Sequence, residues 1–328
     1  MPTPKRASNP PPKIAAGCTA RPALCAPHQG SLWHADFALV RTIPHDINLE
    51  IRGSSIFEGD ALTVLRKLPP ATVRCAVTSP PYWGLRDYGI PEQIGLEETL
   101  PQFLNRLVSI FSEVRRVLTD DGTLWVNIGD GYTSGNRGYR APDKKNPARA
   151  MDVRPDTPDG LKPKDLMGIP WRLAFALQDD GWYLRTDVIW NKPNAMPESV
   201  KDRPTRSHEF LFMLTKSDRY LYDPSASRER AENGGYRNRR SVWNVNTKPF
   251  QGAHFATFPP DLVRPCILTS SRPGDFVLDP FFGSGTVGVV CQQERRRYIG
   301  IELNPEYVAI AADRLKGEYD AITSVGVA

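Results

Sequence analysis

The sequence predicts an α/β fold with a doubly wound, mostly parallel sheet of the Rossmann-like type. Two short apolar runs, Val73–Thr78 and Phe276–Asp279, have the length of buried strands and end abruptly, the first at two prolines and the second before a glycine turn. Between them, residues 100–118 carry apolar side chains at helical spacing. Buried strands that alternate with amphipathic helices are typical of parallel sheets, because each parallel connection needs a crossover.

Length, charge and cysteine content limit the class of protein. With 328 residues the chain can bury the core of one large α/β domain with additions. The net charge of +5 is compatible with a polyanionic partner. Five scattered cysteines argue against a disulfide framework, no apolar run approaches membrane length, and the N-terminus has no hydrophobic signal region. We therefore expect a soluble cytoplasmic protein that does not contact a membrane.

Residues 1–46 are rich in proline, alanine and small polar residues and show no helical or strand periodicity. This composition predicts a poorly ordered N-terminal arm. The arm contains cysteines and histidines whose spacing matches no standard zinc site: Cys18, Cys25, His28 and His34. No metal site is predicted.

The first predicted strand and helix cover residues 51–57 and 61–68. Asp60 lies between them, where an aspartate most often caps the helix. The apolar run Val73–Thr78 follows as a buried strand, and the chain leaves the sheet at Ser79 because proline cannot donate to a sheet ladder.

The loop Ser79-Pro80-Pro81-Tyr82 suits the activation of an exocyclic amino group on a nucleobase. Such an amine is a poor nucleophile because its lone pair is delocalised into the ring, so a catalyst has to supply acceptors for its two N–H bonds. The Ser79 hydroxyl and the Pro80 carbonyl are suitable acceptors, and the fixed φ of the prolines aims that carbonyl. Tyr82 would stack on a base taken out of the duplex. For this motif alone, a proline-terminated strand with a packed aromatic is the structural alternative.

The middle of the chain is predicted to combine core elements with one long insertion. Residues 131–164 are polar and too many for an ordinary loop, which indicates a functional or flexible segment. The predicted core elements are a helix over 100–118, a strand over 123–128, a helix over 169–177 and strands over 182–190 and 208–214, the last antiparallel to its neighbour.

Residues 217–253 mix basic and aromatic side chains without a hydrophobic period. This combination suits a surface that neutralises phosphates and reads base edges, and a charged surface loop is the alternative. The candidate DNA-binding residues are Arg219, Arg228, Arg230, Arg237, Arg239, Arg240 and Lys248.

The C-terminal part joins a strand to a helix through the glycine turn at residues 283–285, where backbone can approach a ligand closely. It is not a phosphate-binding loop, because the lysine is missing. A second strand ends at Glu302, the position at which a carboxylate binds ribose hydroxyls in nucleotide-type folds, and a helix over 306–315 follows. Cys266 lies in an apolar stretch before the first of these strands and is predicted to be buried core rather than a nucleophile.

The order of two motifs, Ser-Pro-Pro-Tyr at 79–82 and Asp-Pro-Phe-Phe-Gly-Ser-Gly-Thr at 279–286, resembles the amino-group DNA methyltransferases that use S-adenosylmethionine, in the permuted arrangement called the beta class. The resemblance covers about residues 54–316. It implies a circularly permuted, mostly parallel seven-stranded sheet with a small target-recognition insertion. The catalytic residues that it implies are Ser79, Pro80, Pro81 and Tyr82. The cofactor residues that it implies are Asp279, Phe281, Gly283, Ser284, Gly285, Thr286 and Glu302, with Asp60, Thr257 and Phe258 beside them.

The same resemblance divides the chain into parts. Residues 47–216 would be the catalytic half, 217–253 the target recognition region, 254–318 the cofactor-binding half and 319–328 a tail. Double-stranded DNA is the implied substrate, and no metal is implied. A homodimer and a cognate restriction endonuclease are compatible with this class, in a prokaryotic or phage-encoded protein.

The first residue of the tetrapeptide bears on the target base. Family members that begin it with serine more often methylate cytosine N4, and those with aspartate or asparagine methylate adenine N6, so Ser79 favours cytosine and leaves adenine as the alternative. Methylation of a protein glutamine is disfavoured, because those enzymes begin the tetrapeptide with asparagine and place the cofactor loop before it. A DNA-binding pseudo-enzyme is the alternative from another class, and the intact motif residues argue against it.

Overall fold

A computed structural model describes residues 39–42, 51–134, 155–248 and 258–325 of the chain. Its strands are β1 (Leu39–Thr42), β2 (Ser55–Glu58), β3 (Val73–Thr78), β4 (Leu118–Ile128), β5 (Tyr183–Asn191), β6 (His208–Thr215), β7 (Glu229–Arg230), β8 (Tyr236–Arg237), β9 (Val242–Asn244), β10 (Phe276–Asp279) and β11 (Arg297–Glu302). Nine of them form one sheet in the order β1-β2-β11-β10-β3-β4-β6-β5-β9, and β7 pairs only with β8.

The sheet is parallel except at one strand. β6 is antiparallel to both β4 and β5, and every other neighbouring pair of the nine-stranded sheet is parallel. This confirms the mostly parallel sheet and the antiparallel strand predicted over 208–214. The seven strands from β2 to β5 are the predicted sheet, and β1 and β9 add one strand at each edge.

Helices cover both faces of the sheet, as expected for a doubly wound fold. Side chains of the helices α1 (Ala61–Lys67), α2 (Leu100–Val117) and α3 (Ile169–Asp179) share one buried cluster with alternate strand residues. Side chains of α4 (Pro260–Ser270), α5 (Thr286–Gln293) and α6 (Pro305–Val325) share a second cluster. Within β3, Ala76 belongs to the first cluster and its neighbours Cys75 and Val77 to the second, as the period of two requires.

The long helix α2 begins at a capping box. The Thr99 hydroxyl accepts from Gln102 N, and Thr99 N donates to Gln102 Oε1 at 3.1 Å. Such a cap contributes about 1 kcal/mol to stability. The helix then buries the apolar face that its spacing predicts, including Phe103, Leu107 and Phe111. No helix in the described ranges is long and apolar enough to cross a lipid bilayer.

Several elements differ from the sequence-based expectations, among them α6, which ends at Val325 rather than at residue 315 and so extends into the predicted tail 319–328. β1 lies inside the segment 1–46, for which no strand is predicted, and β9 lies inside 217–253. β4 begins at Leu118, directly after α2, rather than at residue 123, and its pairing with β3 shifts register between Val73 and Cys75. Short edge strands and irregular strand starts are held by backbone pairing, so their side chains need not alternate.

Candidate active site

The two sequence motifs meet at the carboxyl edge of the sheet. β3 and β10 are parallel neighbours, with Val277 opposite Cys75 and Leu278 opposite Ala76. The loops that follow both strands therefore leave the sheet side by side. Thr78 Oγ1 donates to Asp279 Oδ1 at 2.6 Å, which joins residues 201 positions apart in sequence.

A cavity of about 580 Å³ opens at this edge. Eleven of the predicted catalytic and cofactor residues line it: Ser79, Pro80, Pro81, Tyr82, Asp60, Phe258, Phe281, Gly283, Ser284, Thr286 and Glu302. Asp279 and Gly285 do not contribute to its wall, and Thr257 lies outside the described residues. The two halves of the predicted site thus border one space, large enough for a ligand of drug size.

Asp279 is 1% exposed and holds one unsatisfied oxygen. Its Oδ1 accepts from Thr78 Oγ1 and from Phe281 N at 3.0 Å, whereas Oδ2 has no hydrogen-bond partner within the described ranges. Burial raises the pKa of this carboxyl to about 7, against the lowering effect of those two hydrogen bonds. A buried carboxylate oxygen without a donor is suited to a cationic partner, although Asp279 itself lies behind the residues that border the cavity.

Glu302 ends β11 at the cavity. Gly283 N donates to its Oε2 at 2.8 Å and Asn304 N donates to its Oε1 at 2.9 Å. Burial raises the pKa of this carboxyl, and these backbone donors lower it. Each carboxylate oxygen keeps a further lone pair, so Glu302 can also accept from two neighbouring hydroxyls.

The glycine turn between β10 and α5 is held tightly. Gly285 caps α5 at φ 79°, and a Cβ there would lie 3.2 Å from Ala311 Cβ. Arg314 Nη1 donates to the Ser284 carbonyl at 3.1 Å and to Thr286 Oγ1 at 3.1 Å. The sequence reasoning did not single out Arg314, which braces the turn from α6.

Asp60 lies at the start of α1. Its Oδ1 accepts from Thr63 N and from Thr63 Oγ1, both at 2.8 Å, so it is the helix N-cap. It also lines the cavity. Both roles considered for Asp60 are therefore geometrically compatible.

A polar network holds the last residue of the catalytic loop. Tyr82 donates to Glu209 Oε2 at 2.7 Å, and Asn127 Nδ2 donates to the same oxygen at 3.2 Å. Lys192 forms an ion pair with Glu209 Oε1 and lies 4.1 Å from the centre of the Trp190 ring. Sequence reasoning did not identify this network; the available signal was a carboxylate, Glu209, at the start of an apolar strand, where a charge needs a partner.

The segment 84–95 forms one wall of the cavity. Gly84 N donates to the Gly95 carbonyl at 2.8 Å, which closes the segment on itself. Gln93 bridges its two arms by accepting from Tyr88 N at 2.7 Å and donating to the Arg86 carbonyl at 3.1 Å. Residues 84–89 are glycine-rich and polar, a composition that predicts a mobile loop over the site, and the segment that contains them borders the cavity.

The seven candidate DNA-binding residues are all outside the cavity wall. Arg237 pairs with Glu229 at 2.8 Å, Lys248 pairs with Asp261 at 2.6 Å, and Arg239 lies 5.1 Å from the centre of the Trp243 ring. The other four are exposed and form no ion pair with any described residue: Arg219, Arg228, Arg230 and Arg240.

Cys266 is fully buried in α4, as predicted. Burial raises the pKa of its thiol well above the usual range, and the residue does not border the cavity. A neutral thiol inside the core cannot act as a nucleophile.

Comparisons with known proteins agree on one family. Residues 73–313 match the family model of N6/N4 methyltransferases, described as DNA methylase. Type II methyltransferase M.XycI of Xanthomonas campestris pv. cyanopsidis is 79% identical over 280 residues, which cover 85% of this chain and 93% of that protein. Type II methyltransferase M.SmaI of Serratia marcescens is 58% identical over 267 residues, which cover 81% of this chain and 91% of that protein.

Solved structures share the fold. A Thermus thermophilus protein in complex with S-adenosyl-L-methionine aligns with a TM-score of 0.57 at 25% identity, over 80% of this chain and 93% of that one. The PvuII DNA methyltransferase, described as cytosine-N4-specific, aligns with a TM-score of 0.60 at 22% identity, over 83% of this chain and 93% of that one.

Proposed function

Because the chain belongs to the N6/N4 DNA methylase family, we propose that it methylates the N4 amino group of cytosine in double-stranded DNA at a specific short sequence. The family gives the reaction as DNA methylation, and the relatives are Type II methyltransferases, the kind found in restriction-modification systems. The observation that supports the detailed proposal is the meeting of the Ser79–Tyr82 loop and the Asp279–Thr286 loop at one cavity.

The cofactor is S-adenosylmethionine, which supplies a methyl group bound to a positively charged sulfur. The unsatisfied Asp279 Oδ2 fits its ammonium group, and Glu302 fits its ribose hydroxyls. Phe281 and Phe258 supply apolar parts of the cavity wall. A Cβ built on Gly283 would have its nearest neighbouring atom 4.0 Å away, so this position faces open space in which the cofactor can approach the backbone. The proposed cofactor set is completed by Asp60, Ser284, Gly285 and Thr286. It also includes Thr257, which lies outside the described residues.

The catalytic loop acts on a base that has left the duplex. Ser79 Oγ and the Pro80 carbonyl accept the two N–H bonds of the amine, which draws its nitrogen toward tetrahedral geometry and exposes the lone pair. Pro80 and Pro81 fix the loop backbone, and Tyr82 stacks on the base. The methyl transfer is direct, without a covalent enzyme intermediate.

Cytosine is proposed over adenine on two grounds. The tetrapeptide begins with Ser79, the residue more often found in the cytosine-N4 branch. The PvuII enzyme, which shares the fold, is described as cytosine-N4-specific. Adenine N6 is the second candidate, because the same acceptors serve either amine.

DNA contacts are proposed for the basic residues of the segment 217–248. Exposed guanidinium groups neutralise phosphates, and the exposed aromatic residues Tyr222 and Tyr236 lie on the same segment. As a Type II methyltransferase, the protein would protect the site cut by a cognate restriction endonuclease, and a homodimer is compatible with this activity.

The test is single-molecule long-read sequencing of DNA from cells that express either the wild type or the Ser79→Ala variant. We expect N4-methylcytosine at one short motif in the wild type. The variant should lose transfer by a factor on the order of 10² or more, because one of two acceptors for the amine is missing. Its affinity for S-adenosylmethionine should stay close to that of the wild type.

Each other outcome has a defined meaning. N6-methyladenine at a short motif would retain the mechanism and replace cytosine by adenine. Absence of any modified base from wild-type DNA, with normal cofactor binding by the purified protein, would favour a DNA-binding protein without turnover. Equal unfolding of the wild type and the variant in cells would be detected by their loss from the soluble fraction.

A further inference from the structure

The segment 192–207, which joins β5 to β6, contributes one wall of the cavity. In the order of the sheet, β10 and β11 lie on one side of β3, whereas β4, β6 and β5 lie on the other. The proposed cofactor residues Gly283 and Glu302 belong to β10 and β11, so this segment borders the cavity on the opposite side of the Ser79 loop. In a direct transfer the acceptor has to approach the methyl donor from its open side. The segment therefore faces the space in which the target nucleotide is proposed to bind.

Met196 is the exposed apolar residue of this wall. It borders the cavity and is nevertheless 65% exposed, so its side chain lies at the cavity mouth. Ala195 borders the cavity beside it and adds apolar surface. A methionine side chain is unbranched and adaptable, which allows it to enter a narrow apolar gap.

Hydrogen bonds hold the chain on both sides of Met196. Asn194 Nδ2 donates to the Thr247 carbonyl at 2.9 Å, and Thr247 N donates to Asn194 Oδ1 at 2.8 Å. On the other side, Arg203 Nη1 donates to Glu198 Oε2 at 2.7 Å. The exposed side chain is thus carried by an ordered stretch of backbone, and inserting it into a partner costs little additional conformational entropy.

Basic side chains accompany this apolar tip. Lys192 and Arg206 border the cavity, and Lys201 is exposed and forms no ion pair within the described ranges. Cations beside an apolar tip are complementary to a DNA duplex, in which charged phosphates flank an apolar stack of bases.

A base that leaves the duplex loses its pairing and stacking and leaves a gap between its neighbours. Methionine is one of the apolar residues that proteins insert between bases. We propose that Met196 enters the duplex beside the target nucleotide and fills the space that the base vacates, which stabilises the flipped state. This inference rests on the proposed methylation of a flipped base and applies to cytosine and adenine alike.

The test is single-turnover methyl transfer by Met196→Ala to two duplexes that carry the sequence motif methylated by the wild type. The target base is paired normally in the first duplex and lies opposite an abasic site in the second. On the paired duplex, Met196→Ala should be about tenfold or more slower than the wild type, because the gap is no longer filled. Opposite the abasic site, the two rates should agree within about twofold, because the target base has no pair to break.

A conservative variant separates an apolar wedge from other roles of Met196. Met196→Leu should keep most of the wild-type rate on the paired duplex, because leucine is also apolar and similar in volume. Both variants should keep the wild-type affinity for S-adenosylmethionine and the wild-type thermal midpoint, because the side chain is exposed and lies away from the proposed cofactor residues.

The matched control is Ile322→Ala. Ile322 is 42% exposed on α6 and does not border the cavity. This variant also removes an exposed apolar side chain, and its transfer rates on both duplexes should equal those of the wild type.

Several results would overturn the proposal. A wild-type rate for Met196→Ala on the paired duplex would show that the side chain is not needed for flipping. Equal losses on the two duplexes, or a Met196→Leu variant as slow as Met196→Ala, would exclude an apolar wedge, and a loss of cofactor affinity would assign Met196 to the cofactor wall. A wild type that methylates no DNA would overturn the proposed function together with this inference, whereas an active wild type with any of the preceding results would overturn this inference alone.

Discussion

Among single residues, Asp279 is the one through which the proposed cofactor binding is expected to depend on pH. Its pKa is raised to about 7 by burial, so much of this carboxyl is protonated near neutrality when no ligand is bound. An ammonium group beside Oδ2 favours the ionised form. We therefore expect the affinity for S-adenosylmethionine to fall as pH drops below about 7, by up to about tenfold per pH unit, measured by titration calorimetry.

The matched control for this pH dependence is Asp279→Asn. Asparagine keeps an oxygen that accepts from Thr78 and Phe281, but it carries no charge. The variant should bind the cofactor more weakly at pH 8 and show no pH dependence between about pH 5.5 and 8. A wild-type affinity that is flat over this range would contradict the assignment of Asp279 to the ammonium.

The same substitution predicts a change in the stability of the ligand-free protein. The folded-state pKa of about 7 lies above the ordinary value of 3.8, so the stability contributed by this group is complete below pH 3.8 and is lost as pH rises through 7. The substituted asparagine does not titrate. The free energy of unfolding of Asp279→Asn, minus that of wild type, should rise by about 2 to 3 kcal/mol from pH 5 to pH 8 in chemical denaturation. A constant difference would show that Asp279 is already ionised in the free protein.

At the residue scale, the candidate residues that sequence reasoning placed together are adjacent in the chain. The tetrapeptide at 79–82 and the glycine turn at 283–285 are contiguous, and the structure brings both to one cavity. Sequence reasoning did not single out Glu209, Lys192 or Asn127. These residues come into contact only because β4, β5 and β6 pair with one another. A lysine and a glutamate 17 positions apart give no sign in the sequence that they form a shielded ion pair.

At the scale of elements, the close approach of the loop after β10 to β11 depends on Gly300. A Cβ at this position would lie 2.6 Å from Phe282 Cδ1, and the Phe282 ring stacks on Tyr298 with 5.7 Å between ring centres. Gly300→Ala should therefore lower the free energy of unfolding by about 1 to 3 kcal/mol, because a buried ring has to move. Because that movement displaces the neighbouring Phe281 and Gly283, the variant should also weaken cofactor binding.

Gly317→Ala provides the contrast for Gly300→Ala. Gly317 lies within α6, and a Cβ there would meet nothing within 4 Å. Alanine should raise the free energy of unfolding by about 0.5 to 1 kcal/mol through its helix propensity. Thermal unfolding of both variants measures the difference, and a stable Gly300→Ala protein would mean that the loop after β10 can shift without cost.

The central elements could be predicted because burial on both faces leaves continuous apolar runs, as in β3 and β10. The helix α2 was equally clear from the helical spacing of its apolar residues. β1 and β9 could not be found this way. They contain four and three residues, lie at the two edges of the sheet, and are held by backbone pairing that almost any side chain permits.

At the scale of the whole molecule, DNA binding should depend on salt through individual cations. Arg240 is exposed and precedes β9, which pairs with the end of β5 that leads to Lys192. If Arg240 contacts a phosphate, Arg240→Gln should reduce the slope of log affinity against log salt by about 1. Fluorescence anisotropy with a duplex at several salt concentrations measures this slope.

Lys316→Gln is the control for the salt dependence. Lys316 pairs with Asp320 on α6 at 2.9 Å and does not border the cavity. The Lys316→Gln substitution removes one positive charge from the chain, as Arg240→Gln does. Its slope of log affinity against log salt should nevertheless equal that of the wild type. If Arg240→Gln and Lys316→Gln have the same slope, the DNA does not contact Arg240 and binds elsewhere on the surface.

The hydrogen bond between Thr78 and Asp279 also has a consequence for how the protein is made. Its partners are 201 residues apart, and β10 fills the place between β3 and β11 in the middle of the sheet. At ordinary translation rates, β3 emerges from the ribosome about 10 to 40 s before the strand that completes it. During that interval the nascent chain exposes the edge of a central strand and needs protection from aggregation, and it cannot modify DNA until the last quarter of the chain has been synthesised.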